Sequence, residues 1–318
     1  MRYGMTIPLA GVPLHAQRDY VRMLEDVGYT DLWTAETDGA DGLSPLVLAS
    51  QWTAEARLGV AILPVYTRGP ALLAQSIAAV CSAAPGRVVI GLGSSSDVIV
   101  QRWNAMGFEA PYQRVRDTVT FLREALAGEK VSHAYETFTV QGFRLALPPE
   151  QPPALLIAAL REGMLRLAGR IGDGAILNWL APEDVPTVAA FVREENPERE
   201  IVARIFVVAT DDADLARSIG RRAIAAYLNV PVYAAFHDWL GRGARLQGMR
   251  AAWAAGDRAK ALTEIGDDLV DELIVHGSPE RCRERVQAYV DNGVTTPVLA
   301  LLPHGGDPVE AARQLAPA

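Results

Sequence analysis

The chain is short of the residues that mark several function classes. Cysteine occurs twice in 318 residues, at Cys81 and Cys282, each on the apolar face of a helical pattern. Two such thiols give neither a disulfide framework nor zinc-ligand spacing, so both are expected as reduced core residues of a cytoplasmic protein. Lysine is nearly absent: of 30 basic residues only Lys130 and Lys260 are lysine. Schiff-base chemistry needs a lysine near the top of a strand. Lys130 follows a helix and Lys260 lies in a helical stretch, which removes an aldolase reading. The net charge of −8 offers no field for nucleic acid. No apolar run is long enough to span a bilayer, and the opening MRYGMTIPLAGVPLH lacks the basic start and apolar core of a signal peptide. The five histidines (His15, His133, His237, His276 and His304) show no H-E-x-x-H or similar spacing, so no metal is expected. No Ser–His–Asp order with a nucleophile elbow appears.

What is present is apolar residue, half of the chain, in short alternating blocks. The clearest block is Arg57–Ser96. Leu58–Leu63 is an apolar run of strand length, stopped by Pro64 and Gly69-Pro70. Leu73, Ile77, Val80 and Cys81 follow at one-face helical spacing, and Val88–Leu92 is a second apolar run ended by Gly93 and Ser94–Ser96. Two parallel strands joined by a helix form a βαβ unit, and the carboxyl ends of such strands carry chemistry.

The same alternation runs along the chain. Arg2–Ile7, Asp31–Ala35, Ala154–Ala158, Gly174–Leu177, Ile201–Ala209 and Thr296–Leu302 read as further strands, and the intervening segments as helices. Ser44-Pro45 reads as a helix N-cap with proline at the first helical position. Glu136–Leu147 reads as a small hairpin outside the main sheet, and residues 212–272 as a mostly helical insertion in a single domain spanning 1–318. Eight strands alternating with helices predict an α/β fold, a closed (β/α)8 TIM barrel. The open doubly wound alternative would carry a phosphate loop after its first strand. Pro8–Pro13 is no such fingerprint.

Candidate chemistry lies after the strands. Gly91–Ser96 offers N–H groups and hydroxyls for a phosphate or a flat ring, but its G-x-G spacing equally suits a plain turn. Ala158–Met164 sits at a helix start, where free N–H groups favour an anion and Arg161 adds charge. Glu36, Asp38 and Asp41 follow strand two as acid–base, metal-site or capping carboxylates. Asn178-Trp179 follows strand six as a ring contact or a buried aromatic lid. A mouth that is polar but poor in catalytic groups suits a cofactor that carries the reaction itself.

Three segments then resemble a known family: LGVAILPVYTRGPALLAQ, GRVVIGLGSSS and PPALLIAALREGMLRLAGRIGDGAILNW. They are similar to the bacterial luciferase-like superfamily, and more closely to its branch of coenzyme F420-dependent oxidoreductases. ETDGADGLSPLVLAS, Gly107-Phe108-Glu109 and ELIVHGSPERCRERVQAYVDNGV resemble one actinobacterial subfamily of that branch. The resemblance implies a barrel with insertions and a deazaflavin at the carboxyl ends of the strands. It implies a cis peptide at Ala61–Ile62, within the Ala61, Ile62 and Leu63 segment that backs the ring. Gly93, Ser94 and Ser95 match the segment beside the cofactor. Ala159, Leu160, Arg161, Gly163 and Met164 match its phosphate-binding segment. Relatives that oxidise a sugar phosphate carry a histidine and a glutamate where Thr37 and Ser96 stand here, so that substrate is not expected. Glu36 is the acidic candidate that remains, with Thr37, Ser96, Asn178 and Trp179 as expected substrate contacts. The resemblance also implies a homodimer acting on a small molecule. An FMN-dependent monooxygenase served by a flavin reductase is the alternative reading, and a non-catalytic flavin-binding protein a third.

Overall fold

The computed structural model describes residues 2–317. Eight parallel strands alternate with helices and close on themselves. In chain order they are β1 (Gly4–Thr6), β2 (Asp31–Thr34), β3 (Arg57–Pro64), β4 (Val88–Gly93), β5 (Ala154–Ala158), β6 (Gly174–Asn178), β7 (Glu200–Val208) and β8 (Thr296–Leu301). Each pairs in parallel with its successor, and β8 pairs with β1 through Val298 and Gly4, closing the (β/α)8 barrel. The helices that matter below are α1 (Arg18–Asp26), α2 (Ser44–Trp52), α3 (Pro70–Ala83), α4 (Pro111–Leu126), α5 (Glu162–Ile171) and α6 (Val185–Glu195).

The barrel is filled from its amino-terminal end. Trp33, Val89, Leu156, Ile176, Val202 and Val298 form one apolar cluster contributed by six different strands. Trp33 is the largest of them and is 1% exposed. A Cβ on Gly59 would lie 2.4 Å from its ring and one on Gly4 3.1 Å, so the indole lies flat across two strands that carry no side chain there. Beneath it the Arg57 guanidinium is tied to Asp31, to Glu200 and to Thr296, crossing the barrel from β3 to β7 and β8. Burial works against Glu200's charge, but Arg57 and the Thr296 hydroxyl outweigh it and hold its carboxyl below the ordinary value.

The hairpin outside the sheet begins earlier than the sequence suggests. Val131–Ala134 pairs antiparallel with Thr139–Phe143, because Tyr135, Phe138 and Phe143 gather on Phe121 of α4. The cap of α2 also differs from expectation. Ser44 lies inside the helix, and Asp41 accepts the N–H groups of Leu43 and Ser44 at 2.9 and 3.0 Å. Between β7 and a two-residue strand that pairs with it, Val275–His276, five helices follow one another: α7 (Ala213–Leu228), α8 (Pro231–Trp239), α9 (Gly243–Ala254), α10 (Arg258–Thr263) and α11 (Asp267–Leu273); the helix Pro279–Asp291 then leads to β8. Asp212 caps the first through a 2.9 Å bond from Leu215 N–H. They share a second apolar cluster with Trp179, Phe206 and Ala300, at the carboxyl end of β6, β7 and β8. Cys81 and Cys282 are both buried, which pushes their thiols up to about 12 and about 11. Among the described residues no helix is long and apolar enough to cross a membrane.

The flat seat of Trp33 sets a test. Gly59→Ala is expected to lower stability by about 1–3 kcal/mol in urea denaturation, because the added methyl displaces a packed indole. Gly39→Ala, where a Cβ meets nothing within 4 Å, is the control and is expected to cost little.

Candidate functional site

The carboxyl end of β3 is irregular. Val60 pairs with Ile90, and the next pairing on β3 is Leu63 with Leu92. Ala61 and Ile62 therefore stand opposite the single residue Gly91, a bulge that re-aims the side chain. The Ala61–Ile62 peptide is cis, the geometry the resemblance implies at that bond. Ile62 leans over β4: a Cβ on Gly91 would lie 3.1 Å from its Cγ2, and one on Gly93 3.3 Å from its Cδ1. The G-x-G spacing is thus a packing requirement, set by Val60 C=O and Ile176 at Gly91, by Ala158 at Gly93, and by Ile62 at both. Past Gly93, Ser95 takes φ 63° and the three serines are half-buried. Ser96 heads a single π-helical stretch, Val98–Trp103: its carbonyl accepts Val100 N–H and its hydroxyl accepts Ile99 N–H.

The start of α5 stands beside this loop. Ala159 N–H donates to Ile176 C=O at 3.1 Å, which buries Ala159 and leaves Leu160 half-buried. Arg161 occupies the N-cap with extended backbone and no side-chain cap. Its carbonyl accepts the N–H groups of Met164 and Leu165. The N–H groups of Glu162 and Gly163 have no acceptor in the helix, as at any first turn. Arg161 and Gly163 are exposed, Met164 is half-buried, and nothing lies within 4 Å of a Cβ built on Gly163. An uncapped helix start with open space and a guanidinium beside it is polarised for an anion.

The loop after β2 is already engaged. Arg68, in the turn after β3, donates to both Glu36 oxygens at 2.6 and 2.7 Å, and Gly42 N–H donates to Oε2 at 2.9 Å. Both side chains are largely buried, at 14% and 17% exposure. The pairing raises the Arg68 pKa further. Thr37 is exposed and donates to Asp38 at 3.2 Å.

At the end of β6, Asn178 Nδ2 donates to the Tyr233 hydroxyl of α8 at 2.9 Å, and its Oδ1 is buried without a partner. Trp179 turns the other way. It takes φ 56°, is 1% exposed, and stacks on Phe206 at 4.2 Å with Tyr227 of α7 at 5.0 Å. Sequence reasoning singled out neither Tyr233 nor Arg204. Arg204 stands in register with Asn178 on β7, its guanidinium 5.0 Å from the Phe206 ring. One signal was available: arginine interrupts the apolar strand IVARIFVV, on the inward-facing phase set by Val202 and Phe206.

A cavity of about 780 Å³ opens on the other half of the mouth. Leu9, Val12, Leu301, Leu302, Thr37 and His304 line it, and Thr6 and Arg204 form its floor. A void of about 10 Å³ below it is lined by the same Thr6 and Arg204 together with Ala61 and Trp33. Of the candidate site residues read from the sequence, Thr37 and Asp38 line the large cavity, and Ala61 reaches the void beneath. Among the described residues no group of three or more His, Cys, Asp or Glu side chains is placed to hold a metal ion.

This chain belongs to the luciferase-like monooxygenase family, whose sequence profile matches residues 1–296. Among its relatives is a 5,10-methylenetetrahydromethanopterin reductase of Archaeoglobus fulgidus, 27% identical over 300 residues, covering 91% of this chain and 90% of the reductase. The coenzyme F420-dependent tetrahydromethanopterin reductase of Methanopyrus kandleri superposes with a TM-score of 0.84 at 20% identity, over 99% of this chain and 97% of that one. An F420-dependent secondary alcohol dehydrogenase with an F420–acetone adduct follows at 0.79 and 18%, over 99% and 96%. At those identities the two structures speak to the fold.

The pair in the second loop generates a prediction. Breaking a largely buried, bidentate ion pair from either side leaves a charge without its partner. Glu36→Gln and Arg68→Met are each expected to cost about 1–3 kcal/mol, with a coupling energy above about 1 kcal/mol in a double-mutant cycle read by urea denaturation. Additive losses would show that the pair does not hold the loop.

Proposed function

We propose that the protein is an oxidoreductase that uses coenzyme F420 to exchange hydride with a small organic substrate. The observation that carries this reading is the uncapped start of α5, open at Gly163 and flanked by Arg161, next to the half-buried Ser94–Ser96 loop and the inward-leaning Ile62. The kinship with the reductase of Archaeoglobus fulgidus and the fold shared with two F420-dependent enzymes support it.

The donor set fits a flat cofactor with an anionic tail. Glu162 and Gly163 N–H groups with the Arg161 guanidinium would hold a phosphate, and Gly93, Ser94 and Ser95 would flank the chain between tail and ring. Ile62, with Ala61 and Leu63 on the bulge, would back the ring on the side away from the mouth. When bound, the deazaflavin supplies the hydride donor or acceptor. The chain's share is to position both reactants and keep water out. Glu36 is assigned here to positioning, because both of its oxygens are bound by Arg68 and it holds the Gly42 N–H as well. Asn178 is offered as a substrate contact through its buried, unpaired Oδ1. Trp179 serves behind it as the wall between Phe206 and the insertion helices.

FMN also carries a phosphate, so the same helix start suits the flavin reading. Titrating the purified protein with each cofactor separates them: F420 is expected to bind and FMN is not, and tight FMN binding without F420 binding overturns the proposal. Arg161→Ala is expected to weaken F420 about three- to tenfold, more at low salt, since an exposed guanidinium loses much of its value to screening.

A homodimer belongs to the same reading. Val47 of α2, Leu72 of α3, and Trp103 and Met106 on the approach to α4 are large apolar side chains left exposed on neighbouring elements. Light scattering after size exclusion is expected to give twice the chain mass of 34.3 kDa. A monomer at micromolar concentration would remove the dimer and leave the cofactor assignment standing.

A further inference from the structure

Arg204 is an arginine pointing into the barrel without an acid. Its guanidinium makes no salt bridge and no side-chain hydrogen bond among the described residues, and its Nε is buried with no partner. What holds it is an aromatic face: the Phe206 ring lies 5.0 Å from Cζ, Trp179 stacks on Phe206, and Tyr227 closes the row. A cation–π contact fixes a guanidinium in place and leaves its charge unneutralised. That charge sits on the floor of the 780 Å³ cavity and of the small void shared with Ala61. Ile7, Leu9, Val12, Leu14, Leu301 and Leu302 give the cavity an apolar wall, with Thr37 and His304 among its polar lining residues. Among the described residues the acidic side chain that lines the cavity is Asp38, which is exposed.

We infer that this cavity takes an organic carboxylate, its acid group on Arg204 and its hydrocarbon body against the leucine-lined wall. The guanidinium fork matches the planar carboxylate in a way that a neutral oxygen cannot. Half-burial strengthens the pair relative to one in bulk water. The anion would supply the acid that Arg204 lacks among the described residues. Arg57 shows the contrast, since Asp31 and Glu200 bind it directly. The inference rests on the proposed oxidoreductase in one respect: it names the substrate class of that site, because Arg204 and Ala61 border the same void.

The test uses the purified full-length protein, with and without F420, and calorimetric titration with a series of carboxylates (butyrate, hexanoate, benzoate, 2-naphthoate) and their primary amides. Each acid is expected to bind about 10- to 100-fold tighter than its amide, the worth of a charge-assisted bond. Arg204→Met is expected to abolish that preference and to leave F420 affinity unchanged, and Arg204→Lys to retain part of it. If Arg204→Met does not fold, the acid-to-amide ratio in the parent protein and in Arg204→Lys decides. Equal binding of acid and amide, or no acid bound at millimolar concentration, overturns the inference. A loss of F420 affinity in Arg204→Met equal to the loss of carboxylate affinity overturns it too, by assigning Arg204 to the cofactor. Acid preference in a protein that binds no F420 would instead keep the carboxylate site and remove the cofactor reading.

Discussion

The mouth of this barrel is organised by the contact of Ile62 with two residues that have no side chain. Ile62 reaches inward where β3 carries two residues opposite Gly91, and Gly91 and Gly93 leave it room beside Ile176 and Ala158. A methyl at Gly91 would sit 2.3 Å from Val60 C=O and from Ile176 Cδ1, so neither strand has room to give. The bulge ends the ordinary layering of the interior. Below it Trp33 and five aliphatic residues fill the barrel, as expected of a packed core. Above it the interior opens, with half-buried serines and an uncapped helix start on one side and a cavity on the other.

The two arginines inside the barrel show how the same side chain serves opposite ends. At the amino-terminal end, Arg57 is matched by Asp31 and Glu200, whose carboxylates lie on β2 and β7. Such a network ties strands across the barrel and stays closed to ligands. At the carboxyl end, Arg204 has an aromatic ring in place of an acid. Desolvating a guanidinium is costly unless something offsets it, and stacking on Phe206 offsets only part. Neutrality at one end and residual charge at the other fit the division of labour in these folds, stability below and chemistry above.

Much of the fold was legible because its signals are local. Apolar runs such as Leu58–Leu63 and Val88–Leu92 lie within a residue of the observed strands, since burial on both faces needs such runs. Ser44-Pro45 reads as the cap of α2, yet capping depends on loop path, and Asp41 reaches back across the turn to serve as one. The hairpin starts earlier than its sequence suggests because Phe121, remote in sequence, decides where its aromatics gather. The site was less legible. Arg68 stands 32 residues from Glu36, and nothing in either segment announces the pair. Tyr233 meets Asn178 only through the docking of α8, which no periodicity encodes. Arg204 is readable in principle, as a charge on the inward phase of an apolar strand, but a strand of that composition reads as core.

The two halves of the mouth meet at a narrow seam, and this bears on how reactants would face each other. Ala61 and Arg204 lie on β3 and β7, opposite sides of the barrel, yet they border one void of about 10 Å³ with Thr6 between β2 and β8. A ring backed by Ile62 would present its free face toward that seam. A substrate anchored on Arg204 would approach the same seam from the cavity. With both reactants so placed, the separation of the guanidinium on β7 from Ile62 on β3 would set how far a reacting carbon stands from the acid group. Enlarging either support would change that reach before it changed affinity. Specificity here would then arise from rigid placement by β3, β4 and β7, with the loops after β1 and β8 shaping only the body of the ligand.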